Sequence, residues 1–188
     1  MSFHILRAAD MQPQPWKNGL GVTREVARFP ADAGGEDFIW RVSVAEVNSA
    51  APFSTFPGID RQIVLLDGDG FTMTLDGARR HALTTPLEPF AFAGEAQVDV
   101  AMAGGATRDF NLMVRRAQAS GRLDVVAGPG SQVMPPDAVL VFLARGTADT
   151  LDGPLAAGDA WRPDTSPIEL HEGAVALVAR VTLHAGAA

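Results

Sequence analysis

The sequence predicts an all-β protein of two barrel-like lobes with little helix. Thirteen prolines and nineteen glycines cut the chain into short runs. Those runs carry β-branched and aromatic residues in near alternation, and no window of ten or more residues holds a 3.6-residue apolar period. A period of two gives a strand one face to bury and one to turn elsewhere, which is the pattern a sheet uses.

In chain order the predicted strands cover residues 22–29, 38–47, 62–67, 71–75, 90–93, 97–101, 110–114, 123–126, 139–144 and 174–183. The clearest alternation lies in 38–47, where Trp40, Val42, Val44 and Glu46 share one face and Arg41, Ser43, Ala45 and Val47 the other. An internal repeat argues for two lobes: Val64-Leu65-Leu66, Gly70 and Thr74-Leu75-Asp76-Gly77 recur in register as Leu140-Val141-Phe142, Gly146 and Thr150-Leu151-Asp152-Gly153. Residues 94–102 and 173–181 are alike after a small shift. The predicted lobes are 1–126 and 127–188, meeting in the Gly- and Pro-rich segment AGPGSQVMPPDA.

A chain of 188 residues buries roughly 70% of its unfolded surface and needs no covalent staples. Cysteine is absent, which excludes disulfides and thiolate chemistry and fits a reducing compartment. The start lacks a cationic segment followed by an apolar run, and no apolar stretch of about 18 residues occurs. The expectation is a cytoplasmic protein. A net charge of −7 and a pI near 5.0 disfavour nucleic acid and anionic membrane as partners. Against that acidic background stand fourteen arginines and a single lysine, Lys17, between Trp16 and Asn18.

Three clusters carry chemistry. In 16–25, WKNGLGVTRE, Asn-Gly and a second Gly build a tight turn that sets Trp16 and Lys17 at the lip of the next strand. There they form one wall and one charge of an anion pocket, or the indole simply covers the core. In 40–45 with 52–61, WRVSVA and PFSTFPGIDR, Arg41 and Ser43 share a face. If that face lines a cavity, Arg41 needs Glu25, Asp60, Asp109 or a ligand carboxylate as partner, because a lone desolvated charge is very costly. If it faces outward, Arg41 is a solvated charge. In 108–116, RDFNLMVRR, alternation puts Asp109, Asn111, Met113 and Arg115 together and nominates Arg115 over Arg116 as the cavity arginine.

The metal signal is missing. In small barrels of the cupin kind, the segment leading into the 62–67 strand is where a His-x-His ligand pair stands. Here Phe53, Ser54, Phe56, Asp60 and Arg61 occupy it. His4, His81, His171 and His184 lack the close spacing of metal ligands. No nucleotide loop or nucleophile elbow is present.

Together the clusters resemble the HutD/Ves family, whose members carry W-K-N-G-G-G-x-T-x-E, W-R-x-S-x-A, P-F-S-x-F-P-G-x-D-R and D-x-N-x-M-x-R-R in this order. They read here as Trp16 to Glu25, Trp40 to Ala45, Pro52 to Arg61 and Asp109 to Arg116, with Leu20 where the family usually has Gly. The resemblance implies a cytoplasmic bacterial bicupin, two jelly-roll-like β-barrels or sandwiches, lacking the usual metal ligands; no cofactor is expected. One branch is similar to a histidine-utilisation protein thought to bind an intermediate such as N-formylglutamate and restrain the pathway. The other branch is linked to cold and stress response.

The expected function is metal-independent binding of a small anionic metabolite such as N-formylglutamate or urocanate. Lys17, Arg41, Arg61 and Arg115 would supply cations. Ser43, Ser54 and Asn111 would supply hydrogen bonds, Trp16, Phe53 and Phe56 the walls, with Asn18 and Asp109 completing the set. Alternatives are an isomerase or hydrolase using Lys17, Asp60 or Asp109 for proton transfer, or a protein-interaction module with its motifs on a flat surface. Exposed strand edges make a homodimer the expected assembly.

Overall fold

The alternating run at 38–47 becomes the strand Trp40–Val47 inside a six-stranded antiparallel sheet. Its order is Pro13–Pro15, Gly21–Phe29, Trp40–Val47, Thr107–Arg115, Ile59–Gly68 and Phe90–Ala93. In this computed structural model residues 4–16 and 19–186 are described. Lys17 and Asn18 therefore lie outside the described residues.

Contacts divide the chain into two compact units. The first combines Gln12–Ser120 with Leu183–Ala188, the second Met1–Met11 with Gly121–Thr182. In the Gln12–Ser120 unit a three-stranded sheet, Arg79–Leu83, Phe71–Leu75 and Val98–Met102, joins the six-stranded one through a shared core. Ile63, Leu65, Phe71, Met73, Leu83 and Val98 are each no more than 2% exposed there. Burying side chains of this size contributes about 1.5–3 kcal/mol each, so this core anchors the strands that carry the polar face.

The other unit also has two sheets. One runs Ile5–Leu6, Ala160–Trp161, Ala138–Arg145, Val175–Leu183 and Ala119–Ala127, the other Gly130–Val133, Pro167–Leu170, Thr147–Thr150 and Gly153–Ala156. Val141, Leu143, Leu155, Trp161, Ile168 and Leu170 fill its core.

The repeat has a structural meaning in its glycines. Gly70 and Gly146 both adopt φ +77°, a region that favours glycine. A Cβ would lie 2.1 Å from Leu83 O at the first and 2.7 Å from Ala174 Cα at the second. The two TLDG segments differ in detail, since Leu75 pairs with Arg79 across three loop residues and Thr150 pairs with Gly153 across two.

All ten predicted strands are present, and among the described residues the helical element is the single 3-10 turn Ala8–Asp10. The barrels expected from the sequence do not close: among the described residues each of the four sheets ends in edge strands. Several of those edges are the strands the sequence reading missed, Pro13–Pro15, Arg79–Leu83, Gly130–Val133 and Gly153–Ala156. Proline, glycine and charge hide a strand signal, and edges tolerate them because one side of the backbone needs no ladder partner. No helix among the described residues is long and apolar enough to cross a membrane.

Candidate functional site

The turn before Gly21–Phe29 is built by backbone bonds. Gly19 N–H donates to Trp16 O and Trp16 N–H to Gly21 O, both at 2.9 Å, with Gly19 at φ +71°. Gly21 lets the indole lie on the backbone, because a Cβ there would meet Trp16 ring carbons at 2.8 and 2.9 Å. The indole Nε1 donates to Thr23 Oγ1 at 2.8 Å. Trp16 is thereby locked to the strand that follows it.

A cavity of about 520 Å³ opens on the polar face of the six-stranded sheet, within the range that small-molecule sites occupy. It brings together nine residues nominated from the sequence: Trp16, Arg41, Ser43, Phe53, Ser54, Phe56, Arg61, Asp109 and Asn111. Register explains the convergence. Ser43 is paired with Glu25 and Asn111, Asn111 also with Ile63, and Met113 with both Arg41 and Arg61. Thr23, Gln14 and Met113 line the same space. Thr23 could have been found by alternation from Glu25, whereas Gln14 lies in a Pro-flanked strand with no such signal.

Arg41 faces the cavity. Its Nε donates to Glu25 Oε2 at 2.8 Å, and the same carboxylate accepts from Arg28 Nε at 2.6 Å and from Arg28 Nη2. Burial alone would raise the Glu25 carboxyl, but the bonds from Arg28 and Arg41 outweigh it and hold it below its ordinary value.

Arg61 is 8% exposed. It shares the inward parity of Ile59, Ile63 and Leu65 on its strand, all of them buried. Its guanidinium carbon lies 4.8 Å from the Phe92 ring centroid, 5.3 Å from Phe53 and 5.5 Å from Phe56, a cation–π enclosure. Nη2 donates to Asn111 Oδ1 at 2.9 Å, and Nε has no hydrogen-bond partner. Burial lowers the Arg61 guanidinium to about 10, with Asp109 opposing that fall.

Asp109 is 1% exposed. Its Oδ1 accepts from Asn111 Nδ2 at 2.5 Å, while Oδ2 is unpartnered. Burial pushes the carboxyl up to about 7 despite Arg61 and Asn111, which both favour the charged form.

Two sequence nominations, Arg115 and Asp60, stand elsewhere. Arg115 is not among the residues lining the cavity: its Nε donates to Phe38 O at 3.1 Å and its Nη2 to Glu36 O. It ends its strand, and the alternation that put it beside Asn111 says nothing of how far the cavity extends. Arg116 Nε donates to Asp60 Oδ1 at 2.9 Å and its Nη1 to Glu95 Oε1 at 2.7 Å, which holds exposed Asp60 in an ion pair away from the site. Among the described residues no group of three or more His, Cys, Asp or Glu could hold a metal ion.

The HutD family model matches residues 8–178. The chain is 40% identical over 140 residues to an uncharacterized 21.2 kDa protein in the hutC 3' region of Pseudomonas putida, covering 74% of this chain and 73% of that protein. It is 43% identical over 102 residues to protein Ves of Cronobacter sakazakii, 54% of each. The structure of HutD from Pseudomonas fluorescens SBW25 in the formate condition superposes with a TM-score of 0.82 at 33% identity, over 96% of this chain and 98% of that one. This chain belongs to the HutD family.

Proposed function

We propose that this protein binds a small carboxylate such as N-formylglutamate, without a metal, and thereby modulates histidine utilisation. The observation that carries the reading is Arg61, a buried guanidinium with an unpartnered Nε in the wall of a 520 Å³ cavity that also holds Arg41, Ser43, Ser54 and Asn111. A guanidinium fork suits a carboxylate, and such charge-assisted bonds contribute about 1.5–3 kcal/mol. The relative in the hutC 3' region supports the pathway. The turn repeated at Gly70 and Gly146 supports reading the two units as two cupin-like lobes.

Thermal melting and isothermal titration with N-formylglutamate, urocanate, formiminoglutamate and glutamate test the reading. A ligand at a hundredfold over its Kd adds about 2.7 kcal/mol of stability. Neither heat nor a raised melting temperature with any of them overturns it. Asp109, with a carboxyl raised to about 7 in the lining of the same cavity, favours a second reading, an isomerase or hydrolase acting on the same kind of acid. NMR of each acid incubated with the protein, with and without divalent metal, separates binding from turnover.

A further inference from the structure

Asn111 uses its amide in both directions. Nδ2 donates to Asp109 Oδ1 and Oδ1 accepts from Arg61 Nη2, so the carboxyl and the guanidinium are joined through one fixed side chain. The charges around them are nearly balanced among the described residues. From Trp40–Val47 comes Arg41, tied to Glu25 of Gly21–Phe29, which also holds Arg28. From Ile59–Gly68 comes Arg61, and from Thr107–Arg115 comes Asp109. The loop above contributes Ser54 and the rings of Phe53 and Phe56, without charge.

With Asp109 ionised, the field of Arg61 ends on it and an incoming anion meets a buried like charge. With Asp109 protonated, the Arg61 charge is uncompensated in a low-dielectric wall, where it attracts an anion most strongly.

We propose that the Asp109–Asn111–Arg61 chain makes carboxylate binding proton-linked: the protein takes up a proton on Asp109 together with the anion and releases the two together. This rests on the carboxylate-binding reading above. Asp109 is a positioning residue that acts through Arg61, since Asn111 joins its carboxyl to the guanidinium. Its carboxyl, already raised to about 7 by burial, rises further when a second anion sits at Arg61. Glu25 is held below its ordinary value and Arg61 stands near 10, so neither supplies a proton exchange near neutrality.

The test titrates wild type and Asp109→Asn with N-formylglutamate and with glutarate from pH 5.5 to 9, in buffers of different ionisation enthalpy. A parallel arm follows the Asp109 carboxyl by ¹³C NMR in the ligand-free wild type. Wild-type affinity is expected to weaken about tenfold between pH 6 and pH 9, with proton uptake largest near pH 7.5. In Asp109→Asn the pH dependence and the proton uptake are expected to vanish, at whatever affinity the variant retains. Binding that is pH-independent in wild type, or equally pH-dependent in Asp109→Asn, overturns the linkage and leaves the binding reading standing. No heat with either acid at any pH overturns both. Titration of the Asp109 carboxyl below pH 5 in the free protein overturns the linkage by itself, whatever the variant does.

Discussion

Arg41 and Arg61 flank a single strand: each stands in register with Met113, one from either side. Two strand spacings put their Cα atoms about 10 Å apart. Their settings differ, since Arg41 has a carboxylate at 2.8 Å and Arg61 is held by an amide and three rings. Arg61→Met is therefore expected to weaken carboxylate binding more than Arg41→Met does. The loss of a charge-assisted bond amounts to about 1.5–3 kcal/mol, roughly tenfold to a hundredfold in Kd. Arg61→Lys does not restore it, because a point charge matches neither the planar ring enclosure nor the bond to Asn111. Titration calorimetry of the three variants checks the order.

Asp109 also shapes stability. Its folded carboxyl, at about 7, lies above the ordinary 3.8, so between those values the folded state holds a proton that the unfolded chain has released. The stability it confers is complete below about pH 3.8 and is lost as pH rises toward 7, by about 1.4 kcal/mol per pH unit at most. Asp109→Asn removes that loss. Its melting temperature relative to wild type is expected to climb steadily from pH 4 to pH 7 in the ligand-free protein. An unchanged difference across this range refutes the assignment.

Gly21→Ala tests the seat of Trp16. The new methyl group meets the indole and also Glu46 O at 2.7 Å, and backbone cannot yield as a flexible side chain can. A destabilisation of about 1–3 kcal/mol is expected, with a red-shifted tryptophan emission as the indole loses Thr23 and meets water. Carboxylate affinity falls with it, because Trp16 walls the cavity.

In the other unit Asp159 ties down the N-terminal segment. It accepts from Arg7 Nη1 at 2.7 Å, Ala8 N–H at 2.9 Å and Ala156 N–H at 3.0 Å. Burial raises its carboxyl, but these bonds together hold it below 3.8. The stability it confers is thus present above pH 3.8 and lost as pH falls through the lowered folded value. Asp159→Ala is expected to cost about 1–3 kcal/mol at neutral pH and to speed amide hydrogen exchange in Ile5 and Leu6, which pair with Trp161 and Ala160. The penalty shrinks on acidification, a trend opposite to that of Asp109→Asn.

Much of this was legible along the chain. Period-two alternation is a local property, so residues 38–47 and 108–114 declared which side chains share a face before any partner strand was known. The repeated glycines marked their turns because no other residue takes φ +77° against a neighbouring backbone at that distance. The site motifs were readable as three separate clusters, and nine of the residues nominated from them do line one space.

What alternation leaves open is which neighbour a face meets and where a cavity stops. Arg115 has the parity of Asn111 yet spends its donors on the Glu36 and Phe38 carbonyls, a contact between segments far apart in sequence. Glu25 rather than Asp60 or Asp109 pairs with Arg41 because register sets Glu25 opposite Ser43. The charge state of Asp109 depends on its burial in a strand flanked by two others, and no run of letters encodes a dielectric. Composition, pattern and motif order determined the all-β class, the polar face and the family. Only the tertiary structure decided which arginines face the cavity and which carboxyl oxygen is left without a partner, because partner, register and burial arise between strands and not within one.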